Sequence, residues 1–131
     1  TPLVSIYITN YNYGSYIKEA IDSVLNQSFN DIELIIIDDG SSDNSREIIE
    51  SYMQLKNIRV IFQKNKGLNI TNNIAMRLAR GKYLVRLDAD DYFDLEKLKI
   101  ISKFCRITSR SKNYRNFFIN NSRKVLIYIW I

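Results

Sequence analysis

"IELIIIDDGSSDNS", residues 32–45, is the stretch that decides how this chain folds. Apart from Glu33, residues 32–37 are apolar at odd and even positions alike, and Asp38 and Asp39 close the run. A strand without alternation is buried on both faces, which is the habit of parallel sheets covered by helices. Beyond it, Asp-Gly-Ser-Ser-Asp-Asn-Ser is turn and helix-cap chemistry.

Working outward, the same unit recurs. "LVSIYIT" (3–9), "RVIFQ" (59–63) and "YLVRLD" (83–88) read as further strands. Ile17, Ala20, Ile21, Val24 and Leu25 recur at helical spacing, with Ser15 as the expected N-cap. Ile48, Ile49, Tyr52 and Leu55 mark a second helix, and Ile70, Ile74 and Leu78 a third that Gly81 is expected to close. Asp94 is the expected cap of a last helix carrying Leu95, Leu98, Ile101 and Phe104. The order βαβαβαβα predicts an α/β fold: a three-layer αβα sandwich around a mostly parallel, Rossmann-like sheet with right-handed crossovers. Ligands of such sheets bind at the carboxyl ends of the strands. Those ends carry Thr9–Asn12, Asp38–Ser41, Asn65–Gly67 and Asp88–Asp91, the unusual polar clusters of residues 1–96.

Composition narrows the chemistry. The 131 residues suffice for one domain with a core, and 46% hydrophobic with 25% charged residues is a globular balance. No run approaches the roughly 20 apolar residues that cross a bilayer. The absence of histidine excludes a histidine-based triad or a histidine-ligated zinc site within these residues. A lone Cys105 excludes an internal disulfide and reads as a small buried hydrophobe. Carboxylates, hydroxyls, amides and cations remain.

"DADD" (88–91) concentrates like charge that repels itself unless a cation is near. Asp88 and Asp90 lie one residue apart in an extended segment and point the same way, a pair suited to a hard divalent ion, Mg²⁺ or Mn²⁺. Its structural alternative is a solvated acidic turn. Asp38 or Asp39 at the second strand's end suits a base or ribose, but the first βα turn, "TNYNYGS", lacks G-x-G-x-x-G, which speaks against a glycine-loop dinucleotide site. Tyr11 and Tyr13 stand at the expected mouth, either to stack on a base or to pack. Gly67 permits a tight turn, and Asn65 and Asn73 are ligand contacts or local caps.

Taken together, "SIYITNYN", "SVLNQSF", "IELIIIDDGSSDNS", "NKGLNITNNIAMRLARGKY" and "VRLDADD" occur in an order and spacing that resemble the donor-binding half of family 2 inverting glycosyltransferases, which have the GT-A fold. The resemblance covers roughly residues 2–105 and implies that residues 1–105 form the donor half. It implies that Thr9 and Tyr11 line a nucleotide pocket, that Asp39 reads the base, usually uracil, and that Asp88 approaches the ribose and diphosphate. Asn65, Gly67 and Asn73 would shape the sugar side. Asn12, Asp38 and Ala89 join the donor-binding set, and Asp88 and Asp91 join Asp90 as ligands of Mg²⁺ or Mn²⁺. The implied reaction moves a sugar from a nucleoside diphosphate, expected to be UDP, to a saccharide or lipid-linked acceptor hydroxyl with inversion, which needs a general base. Bacterial surface-polysaccharide synthesis is the usual setting, in the cytoplasm or at the inner-membrane surface, with no nucleic-acid partner.

Departures from the pattern carry expectations too. Asn72 stands where the family often has arginine. Arg86 sits inside a strand where an apolar residue is usual, and either takes over part of that role or only reaches the edge. The family's base comes from an acidic motif further downstream, whereas no acid follows Glu96. Residues 1–96 hold 14 acids and 10 bases, and residues 97–131 hold nine bases and no acid. The atypical basic segment 106–131 is expected to reflect truncation or a shifted reading frame; a basic anchor for anionic lipid or nucleic acid and an ordinary extension are the alternatives, with "VLIYIWI" as a buried or edge strand. A donor-binding fragment unable to turn over alone, a non-catalytic nucleotide-binding or interaction module, and a receiver-like α/β domain are the rival functions.

Overall fold

A computed structural model of the chain describes residues 1–108, 117–118 and 126–129, with side chains up to residue 103. The predicted alternation is present: β1 (Val4–Asn10), α1 (Ile17–Leu25), β2 (Ile32–Asp38), α2 (Ser45–Glu50), β3 (Ile58–Phe62), α3 (Leu68–Leu78), β4 (Tyr83–Asp88) and α4 (Lys97–Thr108). Two further strands, β5 (Phe117–Phe118) and β6 (Leu126–Ile129), complete a sheet of order β3-β2-β1-β4-β6-β5. β1 pairs in parallel with β2 and β4, and β2 with β3. β6 runs antiparallel to β4 and takes up part of "VLIYIWI"; most of the rest of 106–131, like the side chains of Phe104 and Cys105, lies outside the described residues.

Strand periodicity divides the core. Val4, Ile6, Ile8, Leu34, Ile36, Val85 and Leu87 pack on one face with Ile17, Ile21 and Val24 of α1, Ile49 of α2, and Leu98 and Ile101 of α4. Tyr7, Ile35, Ile37 and Leu84 face the other way, against Ala75, Ile74 and Leu78 of α3. β2 is buried along its whole length, as its unalternating sequence requires. The three-layer α/β architecture is thus as read from the sequence.

Several expected details differ. Ser15 does not cap α1; the amides of Tyr16 and Ile17 instead donate to the Tyr13 carbonyl, both at 2.9 Å. The start of α4 is held by Gln27 at the end of α1. Its Oε1 accepts from the Leu98 amide at 2.9 Å, and its Nε2 donates to the Asp94 carbonyl at 2.8 Å and to the Ser23 carbonyl at 3.0 Å. Leu95 therefore precedes the helix and is exposed. Ile70 also faces solvent, because the stripe α3 buries runs through Thr71 and Ala75. Leu55 lies beyond α2 and is exposed. Gly81 is not the cap of α3, which ends at an extended Ala79. A Cβ at Gly81 would stand 2.5 Å from the Ser5 amide nitrogen, so glycine is required there for close approach to β1.

The edge of the sheet away from the strand carboxyl ends has its own polar knot. Glu33 accepts from Ser5 Oγ at 2.6 Å, from the Arg80 amide at 2.7 Å and from Arg80 Nε at 2.9 Å. Burial disfavours its charge, but these bonds and the Arg80 guanidinium outweigh that and hold its carboxyl below the ordinary value of 4.5. A carboxylate with a lowered folded pKa stabilises the fold above the unfolded pKa, and that stabilisation is lost as pH falls through the folded one.

Acid titration of stability should therefore show a loss below pH ~4.5 that is smaller in Glu33→Gln, the remainder coming from Asp22 and Asp43, whose carboxyls are also held below their ordinary value; an unchanged acid limb would contradict the assignment. At neutral pH the same variant should be destabilised by about 2 kcal/mol in urea melts, the partly exposed arginines keeping the figure below that of a fully buried pair. Gln27→Ala leaves the Leu98 amide without its acceptor, while the Asp94 carbonyl keeps the Lys97 amide, and should cost about 2 kcal/mol, whereas an exposed-site Gln→Ala change would cost little.

Candidate active site at the strand carboxyl ends

The strand ends converge on one cleft of about 710 Å³. Thr9 comes from the end of β1, Asp39 from just past β2, Asn65 and Gly67 from the β3–α3 loop, and Asp88, Ala89 and Asp90 from the end of β4. Tyr11, Asn12 and Tyr13 from the β1–α1 loop, Leu68 and Thr71 from the first turns of α3, and Arg86 of β4 complete most of the wall. Register explains the convergence. Thr9 pairs with Ile37 and with Asp88, so the side chains of Thr9, Ile37 and Asp88 emerge on the α3 face at one level, with Asp39 two residues beyond Ile37.

Asp39 is the most constrained of these groups and is 5% exposed. Its Oδ1 accepts from the Lys66 amide at 2.8 Å and from Gln63 Nε2 at 2.9 Å, and its Oδ2 accepts from the Gly67 amide at 3.0 Å. Asn65 Nδ2 donates to the Asp39 carbonyl at 3.1 Å. One carboxylate thus fastens the β3–α3 loop against the end of β2, and Oδ2 keeps lone-pair capacity for a further donor. Gly40, at φ +81°, allows the loops to meet, since a Cβ there would stand 2.8 Å from the Asn65 nitrogen.

The β1–α1 loop is fastened in a similar way. Asn12, in a left-handed conformation at φ 58°, accepts from the Ser42 amide at 2.8 Å through Oδ1, and its own amide donates to Ser41 Oγ at 2.9 Å. The Gly14 amide donates to Asp43 Oδ2 at 2.8 Å. This holds Tyr11 and Tyr13 at the mouth, where they are 50% and 43% exposed. Tyr13 packs against the Tyr16 ring at 6.3 Å between centroids, and the half-exposed Tyr11 at the cleft mouth suits a stacking partner.

Three sequence candidates are not on the cleft wall. Asp38 alternates onto the α1 face with Asn10, whose Nδ2 donates to it at 2.8 Å, and it also accepts from Ser41 Oγ at 2.6 Å. It braces the β2 turn instead. Asn73 follows the inward Thr71 by two residues, over half a helical turn, and faces solvent. Asp91 lies past a turn in which its amide donates to the Asp88 carbonyl at 3.0 Å, and its Oδ1 accepts from the Tyr92 amide. Conversely, the sequence reading passed over Gln63, which joins Asp39 to Thr71 Oγ1 at 3.1 Å. The signal was there: Gln63 lies two residues past Ile61, on the same strand face, just beyond β3.

Asp88 and Asp90 both face the cleft and are exposed. Arg86 Nη2 pairs with Asp88 Oδ1 at 2.7 Å. No group of three acidic, His or Cys side chains converges on one point among the described residues. The donor set is therefore two hard carboxylates with open space before them. That set fits a Mg²⁺- or Mn²⁺-type ion, which takes one or two carboxylates and fills its remaining positions from water and phosphate oxygens.

The chain is 44% identical over 100 residues to the chondroitin synthase of Escherichia coli, an overlap of 76% of this chain and 15% of that protein. It is 40% identical over 103 residues to the hyaluronan synthase of Pasteurella multocida, covering 78% of this chain and 11% of that protein. The crystal structure of S. aureus TarS 1-349 in complex with UDP superposes with a TM-score of 0.78 at 25% identity, over 96% of this chain and 46% of that one. The chain thus spans a minor part of the proteins it matches. Residues 5–108, which include every wall residue of the cleft, match the family model of glycosyl transferase family 2, and the chain belongs to that family.

Proposed function

We propose that the cleft binds a nucleoside-diphosphate sugar, with UDP as the nucleotide, and that these residues form the donor-binding part of an inverting glycosyltransferase acting on a saccharide or lipid-linked acceptor hydroxyl. The observation that carries the reading is the meeting of Thr9, Asp39, Asp88 and Asp90 in a single cleft built at strand carboxyl ends. The UDP complex of the TarS relative supports the choice of nucleotide.

Several wall residues then have a task. Tyr11 stacks on the base at the mouth. Asp39 accepts the base's N–H through the free capacity of Oδ2, in a position fixed by the Lys66 and Gly67 amides. Thr9 lines the floor beside it. Asp88 and Asp90 hold a divalent cation, which when bound stabilises negative charge on the diphosphate leaving group. Asn65, Gly67 and Leu68 shape the sugar side. The base that deprotonates the acceptor is assigned to no described residue. No helix among the described residues is long and apolar enough to cross a membrane, and association with an inner-membrane surface is part of the proposal only through the acceptor.

Calorimetric titration with UDP should give affinity that rises by about tenfold or more when Mn²⁺ replaces EDTA, a gain that Asp90→Asn abolishes. An equal Mn²⁺ gain in the variant would refute the metal role. Asp39→Asn turns an acceptor of three N–H groups into a partial donor; it should weaken UDP by about tenfold or more and lower thermal stability together. A variant that binds UDP as the parent does would remove Asp39 from the site.

A further inference from the structure

Arg86 is the one basic side chain on the wall of the cleft among the described residues, set against Asp39, Asp88 and Asp90. It occupies the middle of a parallel strand, directly opposite Tyr7 of β1. Its side chain is 21% exposed, and its Nε is buried and makes no hydrogen bond. Burying part of a guanidinium in a sheet is costly unless its donors are used, and an apolar residue would serve the sheet better. Asp88 engages Nη2 alone in the ion pair. The guanidinium presents five donors in a rigid fork that matches phosphate oxygens.

We propose that Arg86 binds the diphosphate of the donor and gives this cleft an affinity for nucleoside diphosphates that does not depend on a metal ion. The inference rests on the reading of the cleft as a nucleotide-sugar site. A multiply charged diphosphate entering among three carboxylates is repelled unless cations face it, and Arg86 is the cation that the described wall of the cleft supplies. Its place follows from the strand: Leu84, Arg86 and Asp88 share one face, so the guanidinium lies beneath the carboxylates at the strand's end and reaches the cleft through Asp88. An anion bound there completes the hydrogen bonding that Asp88 leaves open.

The test is calorimetric titration of the full 131-residue chain with UDP, UMP and uridine, in EDTA and in Mn²⁺, for the parent and for Arg86→Gln. In EDTA the parent should bind UDP about tenfold more tightly than uridine, and the variant should close that gap while keeping uridine affinity within about twofold. Mn²⁺ should still strengthen UDP binding by the variant. Equal affinities for UDP and uridine in EDTA overturn the proposal from the parent alone, without any variant that must fold. A gap that survives Arg86→Gln overturns it as well, and if UDP still binds in Mn²⁺ the nucleotide reading stands. If no nucleotide binds under either condition, that reading and the role of Arg86 fall together.

Discussion

Everything at this cleft depends on the parallel pairing of β1 between β2 and β4. In that register Asn10 meets Asp38 on one side, and Thr9 meets Asp88 on the other. Because side chains alternate, the register decides which acids emerge on the α3 face and which turn towards α1. Sliding β2 by a single residue would exchange Asp39 for Asp38 at the cleft, and sliding β4 by one would turn Arg86 into the apolar core on the α1 face. The buried β2 run, packed on both faces, makes that slip prohibitive: each of its isoleucines and its leucine has a complementary wall.

The second constraint is local. Loops at strand ends are mobile unless their backbone groups are engaged, and the donor-side loops here are engaged by a few short side chains. Asp39 holds the β3–α3 loop through two amides, and Asn12 and Asp43 tie the β1–α1 loop to the β2–α2 loop. The carboxylate that lines the cleft is therefore also a structural fastener. Such sharing pre-organises a site, since ligand binding then has little loop entropy left to overcome. The carboxylates of Asp88 and Asp90 at the end of β4 are more exposed, with Asp88 paired to Arg86.

The alternation of elements, the layer architecture and the gathering of polar residues at the strand carboxyl ends were legible because apolar runs without alternation and polar residues after each run are strong, local signals. Which of two adjacent acids faces the cleft was not: period two says that Asp38 and Asp39 diverge, but only the packing of Ile35 and Ile37 against α3 assigns the faces. The face of Asn73 was hard to read for the helical counterpart of that reason, since the inward stripe runs through Thr71 and Ala75 and leaves Ile70 in solvent. Helix starts were hard to read because their partners are distant: Gln27 and Leu98 are 71 residues apart. Arg86 was visible as an oddity inside a strand, and its ion pair with Asp88 needed coordinates.

The central claim is that strand ends distant in sequence make one nucleotide-diphosphate site. Amide chemical-shift mapping of the ¹⁵N-labelled chain during titration with UDP and Mg²⁺ addresses it most directly. The account predicts that the amides of Tyr11, Lys66, Gly67, Ala89 and Asp90 shift together along one saturation curve, while those around Glu33 and Gly81 at the far edge stay still. Shifts scattered over both edges of the sheet, or fitting separate binding curves for the β3–α3 loop and the β4 turn, would contradict it.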